Sequence, residues 1–209
     1  VKPPIRAVVF DYGNVLALHD RREICRRLSA HSALSAEEIL PLIYGNDLEF
    51  ESETGKFDSR EHFRRIKERI GGDDRWSYDE FAEEFKNVFV LNEEAVGALE
   101  LAARSHRVFI LSNTTYLHAL WLFEQEILAT VPELYFLSFK LGVMKPDPEI
   151  FRIMMRTGAL TAEECLYVDD LPEFCDAAGA LGIHTIHYRR GATDLCGEIT
   201  RRSPAQSVR

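Results

Sequence analysis

Six polar residues far apart in the chain follow runs of apolar residues, directly or by a short loop. Asp11 ends the run Ile5–Phe10. Ser112 and Asn113 follow Val108–Leu111, and Asp169 and Asp170 follow Cys165–Val168. Lys145 comes a short loop after Tyr135–Phe139, just before Pro146. Singly, each is ordinary: an acid after a strand caps a helix, and Ser-Asn makes turns. Together they put three carboxylates, an ammonium and a small hydroxyl within reach of one another. Carboxylates gathered alone repel. A hard divalent cation such as Mg²⁺, which takes carboxylate, carbonyl and water oxygens, relieves that repulsion. A lysine beside the acids neutralises more charge and can hold a phosphoryl oxygen as a point charge.

The apolar runs must be buried strands for this convergence to happen. From Glu93 onward helical and strand patterns alternate: helices over Glu93–Ala103, Leu117–Leu128, Pro148–Arg156 and Pro172–Leu181, and a last strand over Ile183–Ile186. That alternation predicts an α/β fold, a mostly parallel sheet with helices on both faces. Ligands of such sheets sit outside the carboxyl ends of the strands, where the six residues lie. Between the first strand and this pattern, four amphipathic helices are expected near Arg21–Ser29, Ser35–Ile43, Asp58–Ile70 and Ser77–Val88, with Gly45–Phe57 irregular. Ser35 with Glu38 and Ser77 with Glu80 have capping-box spacing. The expected organisation is a core of residues 1–17 and 90–209 and a helical insertion of residues 18–89.

Composition narrows the function. The 209 residues carry 25 basic and 34 acidic side chains, a net charge of −9, which argues against nucleic acid as a partner. No apolar run is long enough to span a membrane. The opening stretch lacks a leader's long apolar run and is expected to start a domain. The tail from Arg201 is polar and is expected to fray. Cys25, Cys165, Cys175 and Cys196 form no CxxC and have no metal-ligand spacing; a reducing, cytoplasmic compartment is the expectation. Nothing in the sequence fixes an oligomeric state.

At the strand ends the chain resembles the haloacid dehalogenase (HAD) superfamily. FDYGNVL at Phe10–Leu16, FILSNT at Phe109–Thr114, KPDPEIF at Lys145–Phe151 and YVDDLPE at Tyr167–Glu173 occur in the family's order and spacing. The first motif is most similar to the DxGNV subfamily, which includes bacterial phosphatases acting on α-D-glucose 1-phosphate, and the stretch Gly55–Phe63 is similar to that group's cap. The resemblance implies a Rossmann-like HAD core with an inserted four-helix C1-type cap and Mg²⁺-dependent hydrolysis of a small phosphomonoester, such as a sugar phosphate. It implies Asp11 as nucleophile and metal ligand, the Gly13 carbonyl and Asp170 as further ligands, and Asp169 acting through water or the lysine. Ser112, the Asn113 N–H and Lys145 would hold the phosphoryl group.

Two positions depart from the family's pattern. Gly13 stands where most phosphatases of the superfamily carry a second Asp that protonates the leaving group; His19 and Asp20 are the candidates to assist proton transfer instead. Phe174 stands where many relatives carry Asn. Tyr44, Asn46, Asp47 and Glu53 are the cap candidates for contact with a polar leaving group. Two alternatives remain at this point. A metal-independent 2-haloacid dehalogenase needs no leaving-group acid, but it would be hindered by the Asp169-Asp170 pair. A non-catalytic domain could bind a phosphorylated ligand or a protein.

Overall fold

The computed structural model describes residues 3–202. In chain order its elements begin with β1 (Ala7–Phe10) and β2 (Ala17–Leu18). Helices α1 (Arg21–Leu28), α2 (Ala36–Ile43), α3 (Asp47–Glu53), α4 (Ser59–Ile70) and α5 (Tyr78–Lys86) follow. Then come β3 (Val90–Leu91), α6 (Glu93–Ala103), β4 (Arg107–Ser112), α7 (Tyr116–Glu124), α8 (Glu126–Thr130), β5 (Leu134–Leu137) and α9 (Ser138–Leu141). The chain closes with α10 (Pro148–Gly158), β6 (Cys165–Asp169), α11 (Pro172–Gly179), β7 (His184–His187) and α12 (Leu195–Arg202).

Five strands form one parallel sheet in the order β5-β4-β1-β6-β7. β1 sits at its centre because the chain builds outward to β4 and β5, then returns to add β6 and β7 on the other side. This reversal of strand order opens a crevice at the carboxyl end of β1. β1 has no polar residue because helices cover both of its faces. Val8 and Phe10 enter one apolar core, Ala7 and Val9 the other, as the two-residue period of a strand requires.

The chain leaves and rejoins the sheet side by side. β2 and β3 pair antiparallel, Ala17 opposite Leu91 and Leu18 opposite Val90. Between them lie five α-helices rather than the expected four. The stretch expected to be irregular carries α3, which Asn46 starts by accepting a hydrogen bond from Leu48 N–H at 2.9 Å. The two capping boxes form as their spacing predicts. Ile24, Ile39, Ile66 and Phe81 are fully buried in these helices, each contributing roughly 1.5–3 kcal/mol by leaving water. Gly55 ends α3 in the left-handed region (φ 67°); a Cβ there would lie 2.0 Å from the Phe139 carbonyl oxygen. Only glycine fits where α3 meets α9.

Other boundaries shift as well. The helix expected over Leu117–Leu128 is divided at Gln125 into α7 and α8. Arg201 and Arg202 close α12, and the rest of the tail expected to fray lies outside the described residues. Among the described residues, no helix is long and apolar enough to cross a membrane.

Candidate active site

Lys145 is 1% exposed and is held by two acids. Its Nζ donates to Asp11 Oδ1 and to Asp169 Oδ2, both at 2.7 Å. The backbone brings the acids there. Asp11 follows β1 and its N–H still donates to Val168 O in the neighbouring strand (2.8 Å), while Asp169 is the last residue of β6. Asp169 is fully engaged: Oδ1 accepts from Leu171 N–H at 2.8 Å, and Oδ2 also accepts from the Tyr167 hydroxyl. Asn113 positions the lysine from the side. Its Nδ2 donates to Lys145 O (2.9 Å) and its Oδ1 accepts from Lys145 N–H (2.8 Å). The Phe174 ring lies 4.8 Å from Nζ, so the departure from Asn at that position gives the ammonium an aromatic face.

The electrostatics follow from three carboxyls sharing one ammonium. Burial pushes the Asp11 carboxyl above the usual carboxylate range; Lys145 opposes the rise, and Asp169 and Asp170 add to it. Burial, with Asp169 beside it, pushes Asp170 up to about 6. Burial opposes the charge on Lys145, but Asp11 and Asp169 outweigh it and raise its pKa. One carboxyl oxygen each from Asp11, Asp169 and Asp170 lie within 4.8 Å of one another. An all-oxygen donor set with surplus negative charge fits a hard divalent cation such as Mg²⁺. Asp11 and Asp170 line the open cavity, while Asp169 is sealed beneath it at 0% exposure. The residues therefore suit direct ligation by Asp11 and Asp170, with Asp169 acting through Lys145.

The cavity above the strand ends has a volume of about 510 Å³, within the roughly 300–1,000 Å³ common for small-ligand sites. Gly13, His19, Asp20, Tyr44, Glu53 and Asn113 line it. Ser112 lies below it, 1% exposed, its hydroxyl donating to Asn113 O at 3.2 Å; Thr114 lines the wall instead. Asn46 and Asp47 lie outside the cavity. Asn46 caps α3, and Asp47 pairs with Arg69 at 2.9 Å. Asp20 caps α1, accepting from Arg22 N–H at 2.8 Å. His19 stands against Gly13: a Cβ added at Gly13 would lie 3.3 Å from His19 Cε1.

Among the further cavity residues that the sequence reading did not single out are Arg21, Glu49 and His118. Arg21 pairs with Glu49 at 2.5 Å and lies 4.8 Å from the centre of the Tyr44 ring. Glu49 is four residues before Glu53 and shares its helix face, a signal that could have found it. His118 sits on an apolar helix with no local signal at all.

No family model matches the chain. It is 26% identical over 205 residues to the D-ribitol-5-phosphate phosphatase of Bacteroides thetaiotaomicron, covering 94% of this chain and 97% of that protein. Among solved structures, a predicted HAD-like family hydrolase from Porphyromonas gingivalis superposes with a TM-score of 0.82 at 26% identity, covering 98% of this chain and all of that one. A HAD family enzyme from Bacteroides thetaiotaomicron, solved with magnesium and inorganic phosphate, superposes with a TM-score of 0.80 at 22% identity, over 90% of this chain and 96% of that one.

Proposed function

We propose that the chain is a haloacid dehalogenase-like hydrolase, a Mg²⁺-dependent phosphatase acting on a small phosphomonoester through a phosphorylated Asp11. Its end-to-end likeness to a sugar-alcohol phosphate phosphatase and to a HAD-like hydrolase supports this reading. The observation that carries this reading is the Asp11–Lys145–Asp169 cluster with Asp170 beside it at the mouth of β1. A 2-haloacid dehalogenase working without metal has no use for the extra acids, which would repel its nucleophile. The D-ribitol-5-phosphate phosphatase supports sugar or sugar-alcohol phosphates as the substrate class.

Asp11 attacks phosphorus in line, forming an Asp11 O–P bond as the ester P–O bond breaks, and the leaving alkoxide takes up a proton. Water then attacks the phosphoryl-Asp11, gives up a proton and releases phosphate. Asp11, Asp170 and the Gly13 carbonyl would hold Mg²⁺, which when bound would supply positive charge against the phosphoryl oxygens. Lys145 aims Asp11 and balances its charge. The Asn113 amide fixes the Lys145 backbone, and the Asn113 backbone N–H helps to cradle the phosphoryl oxygens, while Ser112, sealed below the cavity, supports Asn113 from beneath. His19 assists proton transfer in place of the acid missing at Gly13, since its ring adjoins the volume that side chain would take. Burial, with Arg21 adding to it, lowers its pKa to about 4, so the neutral ring would relay a proton from water to the leaving oxygen rather than donate as imidazolium. Asp20 is committed to its helix cap.

In this reading residues 18–89 are the cap over a core of residues 1–17 and 90–209. Cys25, Cys165 and Cys175 are buried free thiols, and Cys196 is a half-buried one; a reducing, cytoplasmic setting suits them. The test is phosphate release from a panel of small phosphomonoesters and an acyl phosphate, with and without Mg²⁺, beside Asp11→Asn. Turnover needing both the metal and Asp11 is expected. Halide release from 2-haloacids without metal, or binding without turnover, would overturn it.

A further inference from the structure

Five buried side-chain polar atoms among the described residues lack a hydrogen-bond partner. Buried polar groups are nearly always paired, so each exception calls for an explanation. Three of the five, His19 Nδ1, Tyr44 Oη and His118 Nε2, belong to residues lining the same cavity. A fourth, Glu49 Oε1, is met there by the Arg21 guanidinium at 2.5 Å, an ion pair that lacks hydrogen-bond alignment. Glu53 lines the cavity one helical turn further along α3. Four of the five thus converge on one cavity, His19 at its Gly13 edge and Tyr44, Glu49 and His118 further along its wall. His118 is only 9% exposed.

Their chemistry has a common feature. A phenol and a neutral imidazole can each donate or accept, and so can a protonated carboxyl. A hydroxyl is the ligand group with the same ambivalence. The wall also carries little unpaired charge. Arg21 is matched by Glu49. Burial, with Glu49 nearby, pushes Glu53 up to about 7, and burial drives His118 well below the ordinary histidine range. A carboxylate or second phosphate arriving here would meet Glu53 and an arginine already paired. An amine would meet Arg21, neutral imidazoles, a Glu49 already paired and, at Glu53, a carboxyl that burial holds toward its neutral form.

We propose that Tyr44, Glu53 and His118, with the Arg21–Glu49 pair behind them, form a subsite for the substrate's non-phosphorylated end, and that it selects an uncharged polyhydroxylated tail over an anionic or cationic one. This rests on the phosphatase reading for the other end of the cavity. It goes beyond that reading by assigning tail selection to named residues and by setting its charge.

Two measurements test it. The first is kcat/KM of the Mg²⁺-loaded enzyme on a five-carbon polyol monophosphate, on its counterpart with a terminal carboxylate, on an amine-tailed phosphomonoester, and on acetyl phosphate as a tail-free reference. The polyol should lead both charged tails by about tenfold or more, the scale set by leaving buried polar groups unpaired. Tyr44→Phe, which keeps the ring under Arg21, should raise KM for the polyol and lower its kcat/KM relative to acetyl phosphate by about tenfold. The second is calorimetric binding of the polyol, carboxylate and amine phosphates to Mg²⁺-loaded Asp11→Asn. It reads the subsite even if the wild type turns nothing over. Absent turnover would sink the phosphatase reading alone. Equal binding of the three tails, or preference for a charged one, would overturn the subsite.

Discussion

The two sides of the cavity are both buried and both polar, yet they satisfy their polar groups in opposite ways. On the strand-end side, Lys145 and Asp169 are charged partners tied to each other, to Asp11 and to the backbone, with both Asp169 oxygens engaged. On the helical side, Tyr44 Oη and His118 Nε2 are unpaired, and burial pushes Glu53 and His118 toward their neutral forms. On the first side the hydrogen bonds of Lys145 and Asp169 are complete before any ligand arrives, which suits groups that must meet developing charge without reorganising. The second leaves its capacity for hydrogen bonding to be completed from outside. On the proposed reading, chemistry is fixed by the sheet and selection is left to the helices.

The largest expected break in this contrast is Asp11→Asn. Without a nucleophilic carboxylate, phosphate release should fall by about 10⁴-fold or more, measured as single-turnover phosphate production, while the fold is retained. Next is Lys145→Met. It leaves Asp11 and Asp169 buried beside each other without their cation, and breaking a buried pair this way costs about 3–5 kcal/mol. Denaturant titration should show that loss, and Mg²⁺ should restore part of it by replacing the missing positive charge. A variant as stable as wild type without metal would mean that the acids are not compressed as the 2.7 Å contacts indicate.

The same contrast governs what could be read in the sequence. The strand-end side was legible because its signal is local: an apolar run that stops on an acid or on Ser-Asn marks a strand end, and sheet topology brings the ends together. The helical side was only half legible. Tyr44 and Glu53 line the cavity, whereas Asn46 and Asp47 lie outside it, and Asn before an acidic turn is an ordinary helix start. The polar sequence DLEFESE hid α3, because only Leu48 and Ser52 in it are buried. His118 gave no signal, since nothing local tells a cavity histidine from a core one. Arg21 resembled one more charge on a solvated helix, and its pairing with Glu49 exists only after α1 and α3 have met.

His19 sits where the two sides meet, and its substitution sharpens the boundary between them. If it assists proton transfer, His19→Asn should lower kcat on an alkyl phosphate by about 10²-fold. An acyl phosphate, whose leaving group needs no proton, should lose much less. Equal losses on both would assign His19 to the wall and remove it from the chemistry. Gly13→Asp in a His19→Ala background should recover the alkyl phosphate more than Gly13→Asp alone, because a Cβ at position 13 otherwise comes within 3.3 Å of the imidazole.

The smallest effect tests whether the helical side is as neutral as its burial demands. His62 lies behind Tyr44 and His118, packed edge-on against Phe81 and Phe85. Burial, with Arg65 adding to it, lowers its pKa to about 4. An unfolded histidine titrates near 6.5, so between these values the unfolded chain binds a proton that the folded one refuses. Stability from this residue is therefore complete above about pH 6.5, and it declines as pH falls toward 4. Between pH 7 and pH 4.5 the loss should be about 2 kcal/mol. His62→Phe, in which nothing titrates, should flatten that part of the profile in denaturant titrations at each pH, whatever its own effect at neutrality. An unchanged slope would place a charged group within this wall, and the case for an uncharged ligand would weaken with it.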